Sequence, residues 1–299
     1  MIMGGVGIRD SKKYIVTSGL TLHLDNTSIS YSGLTGITWS DISGANRTFY
    51  CRHTNSATGK TPFFTLDPLG YRGMEFNGFS TEYVGMPEEF RAGAYYFQEN
   101  STPRIDFEAL GSWTIEILCR LNGAGRNESG CGGKFSTLWQ KMGSGTNNST
   151  QYFYNGHRIN FGGVDPFTGG TNPVDTGSLV SCGPIIDGAA SDTNSYRAGV
   201  LSSFFNRNDR IYMSFVFDKR SASVYRFSYY INGSLYHTAA DQTFVAAPAG
   251  DFLVGGRDNN CGPTEAWRGW IYNVRMYNRV LTAAEIKQNF EALRGKIGL

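Results

Sequence analysis

Val224-Tyr225-Arg226-Phe227-Ser228-Tyr229-Tyr230-Ile231-Asn232-Gly233-Ser234-Leu235-Tyr236 is the stretch on which the fold class turns. Tyr225, Phe227, Tyr229 and Ile231 recur at every second position, the period of a strand with one buried face. Asn232-Gly233 then supplies two residues that tolerate positive φ, as a type I′ turn requires, so residues 224–236 predict a β-hairpin. Asp218, Lys219 and Arg220 predict the turn that precedes it.

The same alternation, bounded by Gly, Asn, Asp or Ser, recurs on both sides of this hairpin. It is clearest at residues 20–24, 71–76, 113–121, 137–141, 151–161, 210–217, 223–230, 252–254 and 270–277. Trp39, Trp113 and Trp270 lie within apolar alternation and are assigned to the core. Strands at this spacing, joined by hairpins, predict an all-β antiparallel sandwich of the jelly-roll kind. One helix accompanies it. Thr282-Ala283-Ala284-Glu285 is a capping box, Ile286, Phe290 and Leu293 follow at helical spacing, and Gly295 predicts the stop after about three turns. That short C-terminal helix reads as a cap packed on the sandwich.

Composition agrees with this class. The 299 residues include 38 Gly, 20 Phe, 17 Tyr and 5 Trp, and only 17% are charged. Such a composition excludes a disordered chain, a coiled coil or a long-helix bundle. A single β domain of this length buries roughly 75% of its unfolded surface and needs no disulfide scaffold. The 27 basic residues against 25 acidic ones leave a formal charge of +2, so no global field draws in nucleic acid or an anionic membrane. No stretch approaches the ~20 apolar residues of a membrane-spanning helix.

Organisation follows from the punctuation. Residues 1–18 carry Arg9, Asp10, Lys12 and Lys13 and lack the apolar core of a secretory signal, so they predict an N-terminal arm made without a signal peptide. Residues 19–299 form one domain, interrupted by Gly-, Asn-, Ser- and Thr-rich loop insertions at about 123–133 and 162–194. Long loops of this kind commonly carry function. Seven Asn-x-Ser/Thr strings, among them those at Asn46, Asn100 and Asn232, follow from this loop composition.

Catalytic signatures are sparse. There is no Gly-x-Ser-x-Gly elbow and no phosphate loop, and His23, His53, His157 and His237 have no evident nucleophile beside them. Arg104-Ile105-Asp106-Phe107-Glu108 is similar to the Glu-Ile-Asp-x-Glu strand of laminarinase-type sandwich hydrolases. Arg104 stands where the nucleophilic Glu would be, which removes one of the two carboxylates retaining hydrolysis needs. The chain is therefore expected not to be an enzyme. Sugar binding needs less: an aromatic face and a few oriented polar groups. Arg257, Asp258, Asn259 and Asn260 followed by Trp267 supply those ingredients and are the candidate carbohydrate-binding residues. Asp258 and Asn259 are also the oxygen donors a Ca²⁺ ion would use. No other metal or cofactor is expected, because the cysteines Cys51, Cys119, Cys131, Cys182 and Cys261 show no Cys-x-x-Cys or Cys/His zinc spacing. Cys119 reads as a small buried hydrophobe and the loop cysteines Cys131, Cys182 and Cys261 as reduced thiols, although gathered together they would suit a disulfide or a metal.

Several blocks together resemble a known family. Gly19-Leu20-Thr21-Leu22-His23-Leu24-Asp25 with Trp39-Ser40-Asp41-Ile42-Ser43-Gly44 resembles the opening of concanavalin A-like, laminin G-type modules. Met74-Glu75-Phe76-Asn77-Gly78, Trp113-Thr114-Ile115-Glu116-Ile117, Phe217-Asp218 and Tyr230-Ile231-Asn232-Gly233 are similar to its later blocks, in the same order. The segment from Gly269 through Tyr277-Asn278-Arg279-Val280-Leu281-Thr282 to Glu285-Ile286 resembles its closing block. The ending Gln288-Asn289-Phe290-Glu291-Ala292-Leu293-Arg294-Gly295-Lys296-Ile297-Gly298-Leu299 is similar to that of laminin G-like virion proteins of tailed bacteriophages.

This resemblance implies a concanavalin A-like jelly roll. It further implies a virion structural protein displayed on the particle surface, a head decoration or appendage subunit, homo-oligomeric and in contact with other capsid or tail proteins. Weak adhesion to host-surface glycans is the expected activity. The alternatives are a capsid cement protein without a ligand and, third, a tail-associated glycan depolymerase using Glu108.

Overall fold

The computed structural model describes residues 14–32, 36–53, 63–77, 95–101, 103–106, 110–121, 136–141, 156–161, 179–185, 210–238, 240–243, 252–255 and 267–297. Within them the chain forms β1 (Leu20–Ser32), β2 (Gly36–Asp41), β3 (Thr48–His53), β4 (Phe63–Leu66), β5 (Arg72–Asn77), β6 (Tyr95–Glu99), β7 (Trp113–Leu121) and β8 (Ser136–Lys141). There follow β9 (Gly156–Phe161), β10 (Leu179–Ile185), β11 (Arg210–Lys219), β12 (Val224–Ile231), β13 (Ser234–Thr238), β14 (Gln242–Thr243), β15 (Phe252–Val254), β16 (Arg268–Tyr277) and the helix α1 (Ala283–Ile297).

Among the described residues all strand pairs are antiparallel, and 13 strands follow one hydrogen-bonded path, β10-β9-β8-β15-β6-β3-β2-β1-β16-β7-β11-β12-β13, while off it β5 pairs with β16 and β4, and β14 pairs with β12. The path doubles over at β1, whose first half pairs with β16 and whose second half pairs with β2 across a register irregularity between Leu24 and Ile29. Strands far apart along the path consequently meet face to face. Trp139 of β8 lies 5.8 Å from Trp113 of β7 and 6.3 Å from Phe215 of β11 between ring centroids. The inner face is supplied by alternate residues: Trp113, Ile115, Ile117 and Cys119 on β7, and Ile211, Met213, Phe215 and Phe217 on β11. Trp39, Phe49, Phe97, Trp139 and Phe252 come from the other layer. Trp39 and Phe97 meet edge to face with their centroids 5.4 Å apart. Pairs of this kind each add about 1 kcal/mol beyond simple burial. The expected β-sandwich with a C-terminal helix is the fold, and Trp39 and Trp113 are in its core.

The second face of β7, β11 and β16 is buried as well. Leu118, Tyr212, Val216, Trp270, Tyr272 and Tyr277 pack there with Leu281, Ile286 and Leu293 around α1, forming a second apolar cluster. Trp270 is thus buried on the outer side of its sheet, away from the main core. The helix starts as the sequence predicts, with Glu285 N donating to Thr282 Oγ1 at 3.2 Å and Thr282 N donating to Glu285 Oε2 at 2.9 Å. It does not stop at Gly295 but runs its 15 residues to Ile297. Glycine adopts helical φ as readily as any other residue, at a cost of about 1 kcal/mol relative to alanine, so by itself it does not end a helix.

Beneath α1 sits a buried polar cluster. Glu116 of β7 and Arg275 of β16 approach to 3.7 Å with both side chains fully enclosed. Asn289 of α1 donates to Glu116 Oε2 at 2.9 Å and to the Tyr277 hydroxyl at 3.0 Å, and accepts from Val16 N at 2.7 Å. Gln288 donates to the carbonyl of Tyr14 at 2.9 Å. Residues 14–18 of the expected arm therefore run along the helix; residues 1–13 lie outside the described residues.

Other boundaries differ from the sequence expectations. The turn before the hairpin is at 220–223, because Asp218 and Lys219 still pair with Arg226 and Tyr225. The expected loop at 162–194 contains β10, which pairs with β9 from Leu179 to Ile185. Pro184 masks it in the sequence, since proline lacks the N–H of a central strand, but β10 is the last strand of the path and an edge tolerates proline. The 123–133 insertion lies outside the described residues. The Asn232-Gly233 turn is as predicted, with φ of 48° and 77° and Ile231 directly paired with Ser234.

Candidate functional site

The turn between β2 and β3 and the segment following β6 enclose a polar cleft of about 330 Å³ lined by Ala45, Asn46, Arg47, Thr48, Tyr50, Asn100, Ser101 and Pro103. Its first wall is built by Asp41. The Asp41 carboxylate accepts from His23 N, Ser43 N and Ser43 Oγ, each at 2.8 Å, and Asp41 N donates to the carbonyl of Arg47 at 2.9 Å. Asn46 takes a left-handed φ of 55°, which turns the chain back into β3. Asparagine tolerates that conformation better than most residues.

The second wall is tied to the first. Asn100 N donates to the carbonyl of Thr48 at 2.9 Å and Thr48 N donates to Ser101 Oγ at 3.0 Å. Arg47 Nη1 donates to Glu99 Oε1 at 2.8 Å and to the carbonyl of Pro103 at 3.0 Å, while Glu99 also accepts from Ile105 N at 2.9 Å. Glu99 is only 1% exposed, so this ion pair sits beneath the cleft as part of its frame. The cleft presents neutral polar groups in consequence, the one cation among its lining residues being neutralised from below.

Along β3 the side chains alternate: Phe49 enters the core and Tyr50 points outward, 38% exposed. An outward aromatic ring flanked by amide and hydroxyl side chains on two cross-braced walls suits a ligand with an apolar face and a hydroxylated rim. Sequence reasoning did not select these residues. Two traces were present: the Asp41-Ile42-Ser43-Gly44 turn, and the Asn-x-Ser/Thr strings at Asn46 and Asn100, which the fold places on opposite walls of one cleft. Nothing local says that these two strings meet, because β6 reaches β3 only through sheet pairing.

Among the residues selected from sequence, Trp267 is 1% exposed and belongs to the core cluster, so its ring serves packing and is not an open stacking face. Arg257, Asp258, Asn259 and Asn260, and with them the Ca²⁺ donors Asp258 and Asn259, lie outside the described residues, as do Cys131, Cys261 and Glu108. Cys182 is on β10. Cys119 is buried and free, and Cys51 is partly buried. Among the described residues no helix is long and apolar enough to cross a membrane.

Comparison with known proteins matches the fold. No curated protein matches the chain. Domain 4 of AbnA, a GH43 extracellular arabinanase from Geobacillus stearothermophilus solved with arabinotriose, is similar at 14% identity and a TM-score of 0.49, over 91% of this chain and 98% of that one. The receptor-binding domain of botulinum neurotoxin type G is similar at 12% identity and a TM-score of 0.46, over 92% of this chain and 51% of that one. A Trypanosoma rangeli sialidase in complex with the inhibitor DANA is similar at 15% identity and a TM-score of 0.48, over 92% of this chain and 33% of that one. The chain thus spans about half of the toxin domain and a third of the sialidase. The family model Laminin_G_3 matches residues 98–287, more than half of the sequence. With the antiparallel sandwich and this match together, the chain belongs to the Laminin_G_3 family of the concanavalin A-like lectin/glucanases superfamily.

Proposed function

We propose that this chain is a non-catalytic carbohydrate-binding module, and that the cleft over Tyr50 takes a neutral sugar residue of a host-surface glycan. The observation that carries the proposal is the exposed Tyr50 ring set between Asn46 on one wall and Asn100 and Ser101 on the other. A cleft of about 330 Å³ suits one or two sugar residues, near the lower end of small-ligand sites. The two carboxylates of its frame are committed, Glu99 to Arg47 and the amide of Ile105 and Asp41 to His23 N and Ser43, which favours binding over hydrolysis.

The setting we propose is the surface of a tailed-phage particle, as a homo-oligomeric head decoration or appendage subunit held by other virion proteins. The support for it is the resemblance of the 288–299 ending to laminin G-like virion proteins. Many copies on one particle would let a site of roughly millimolar affinity adhere through effective concentration.

A glycan array and a thermal-shift series on the wild type and Tyr50→Ala test the proposal. Binding to at least one host polysaccharide, weakened tenfold or more in Tyr50→Ala at unchanged Tm, is expected. Absence of any glycan binding by the wild type refutes the adhesive function, and undiminished binding by Tyr50→Ala refutes the cleft. Mass spectrometry of purified particles checks the virion setting.

A further inference from the structure

A second constellation lies on the outer face of β7 and β11. Arg120 and Arg210 are direct cross-strand partners there, and both are almost enclosed, at 4% and 6% exposure. Like charges set opposite one another in a ladder repel, and burial removes the water that would screen them. Among the described residues one carboxylate answers both. Asp67, in the turn between β4 and β5, places Oδ2 3.4 Å from Arg120 Nη1 and 3.2 Å from Arg210 Nε.

That carboxylate is already occupied. Its Oδ2 accepts the Tyr272 hydroxyl at 2.6 Å, and its Oδ1 accepts Leu69 N at 2.8 Å and Tyr71 N at 2.9 Å. The Nε and Nη1 atoms of both arginines, all buried, make no hydrogen bond among the described residues. Aromatic rings hold the two guanidinium groups in place: Arg210 lies 3.7 Å from the Tyr71 ring centroid and Arg120 5.5 Å from that of Trp270. Two immobilised planar cations thus share one carboxylate, which faces Arg120 Nη1 and Arg210 Nε, while Arg120 Nε and Arg210 Nη1 are left without a hydrogen bond among the described residues. This is the arrangement that recognises an oxyanion through paired N–H···O bonds. The end of β4 and the turn after it are at the surface, with Leu66 and Leu69 57% and 58% exposed.

We propose that Arg120 and Arg210 form a binding site for a small oxyanion, of the carboxylate or sulfate kind that acidic glycans carry. The site is separate from the Tyr50 cleft and does not depend on it. Its ligand supplies the second negative charge that the pair lacks among the described residues, and Asp67 acts as the positioning residue that holds both arginines beneath the turn.

Isothermal titration of the full chain with sodium sulfate and with sodium acetate, each against sodium chloride at equal ionic strength, tests this. Saturable one-to-one binding of sulfate or acetate, absent for chloride, is expected. Arg120→Met should weaken it tenfold or more, and Arg210→Lys, which keeps the charge and loses the planar fork, should weaken it severalfold. Tighter sulfate binding identifies a sulfate ester as the natural group, and tighter acetate binding a carboxylate. Heats indistinguishable from those of chloride overturn the proposal. So does binding that Arg210→Lys leaves unchanged, and that variant keeps the test decisive if Arg120→Met does not fold.

Discussion

Replacing Asn289 by alanine should cost this protein about 3–5 kcal/mol, although the side chain lost is small and far from the main core. Asn289 is fully buried and makes three hydrogen bonds, from Val16 N at 2.7 Å, to Glu116 Oε2 at 2.9 Å and to the Tyr277 hydroxyl at 3.0 Å. An ordinary intramolecular bond contributes ~0.5–1.5 kcal/mol and one to a charged group ~1.5–3 kcal/mol, and each partner left behind here is buried. Two bonds of the first kind and one of the second sum to about 2.5–6 kcal/mol, which brackets the stated range, and that range is equivalent to a fall in Tm of roughly 5–8 °C for a chain of this size. Urea unfolding followed by fluorescence measures the energy, and hydrogen exchange at the Val16 amide measures the local consequence, which should be faster by tenfold or more. The loss should also depend on pH. Burial pushes the Glu116 carboxyl above its usual range, while the Arg275 charge and the bonds from Asn289 and Ser214 pull it back. Without Asn289 the folded-state pKa of Glu116 rises further. A raised folded pKa gives stability that is present in acid and is lost as pH rises through it, so the variant's deficit should be smaller at pH 5 than at pH 8. A loss below about 1 kcal/mol with unchanged exchange at Val16 would refute the reasoning, because a satisfied buried hub cannot be removed at that cost.

Three further outcomes follow from the geometry. Arg279 holds the Glu285 carboxyl at about 2, with help from Thr282, so this pair stabilises the helix start above pH ~4.5 and the contribution is lost as pH falls toward 2. The Glu285 side chain is 27% exposed, which leaves the pair partly screened by solvent. Glu285→Gln should therefore cost about 1 kcal/mol at pH 7 and progressively less as pH falls through about 2, as acid titration of Tm will show. Gly255 has a φ of 82°, and a Cβ there would overlap the Phe76 ring. Gly255→Ala should lower stability by about 2 kcal/mol or more in urea unfolding. Burial pushes the Cys119 thiol far up, so iodoacetamide should leave it unmodified in the native protein and label it only after denaturation, read by mass spectrometry.

The local signals that proved reliable are those whose physics is complete within a few residues. The Asn232-Gly233 turn needs only two residues that accept positive φ, and the start of α1 needs only Thr282 and Glu285 reaching each other's amides. Strands with one buried face, such as β12, announce themselves by period. The strand β11 runs past its expected end because Asp218 and Lys219, polar residues of the turn-forming kind, still pair with β12, and β10 is hidden by Pro184 at an edge. The site was harder to read. Trp267 looked like a stacking residue beside a polar loop, yet the sandwich closes over it, while Tyr50, one residue from the core side chain Phe49, faces outward.

Sequence by itself determined the class of this protein: an antiparallel β-sandwich with a capped C-terminal helix and no strong global charge. Alternation, turn chemistry and capping act over neighbours in the chain, and composition alone sets net charge. Only the tertiary structure decided which polar residues meet. Asn46 and Asn100 come to opposite walls of one cleft through the β3–β6 pairing, Arg120 and Arg210 become neighbours through the β7–β11 ladder, and Asn289 reaches Val16 across 273 positions. Loop closure over such distances is made favourable by the core as a whole and by no local pattern, so a site assembled this way has no signature in any single stretch of sequence.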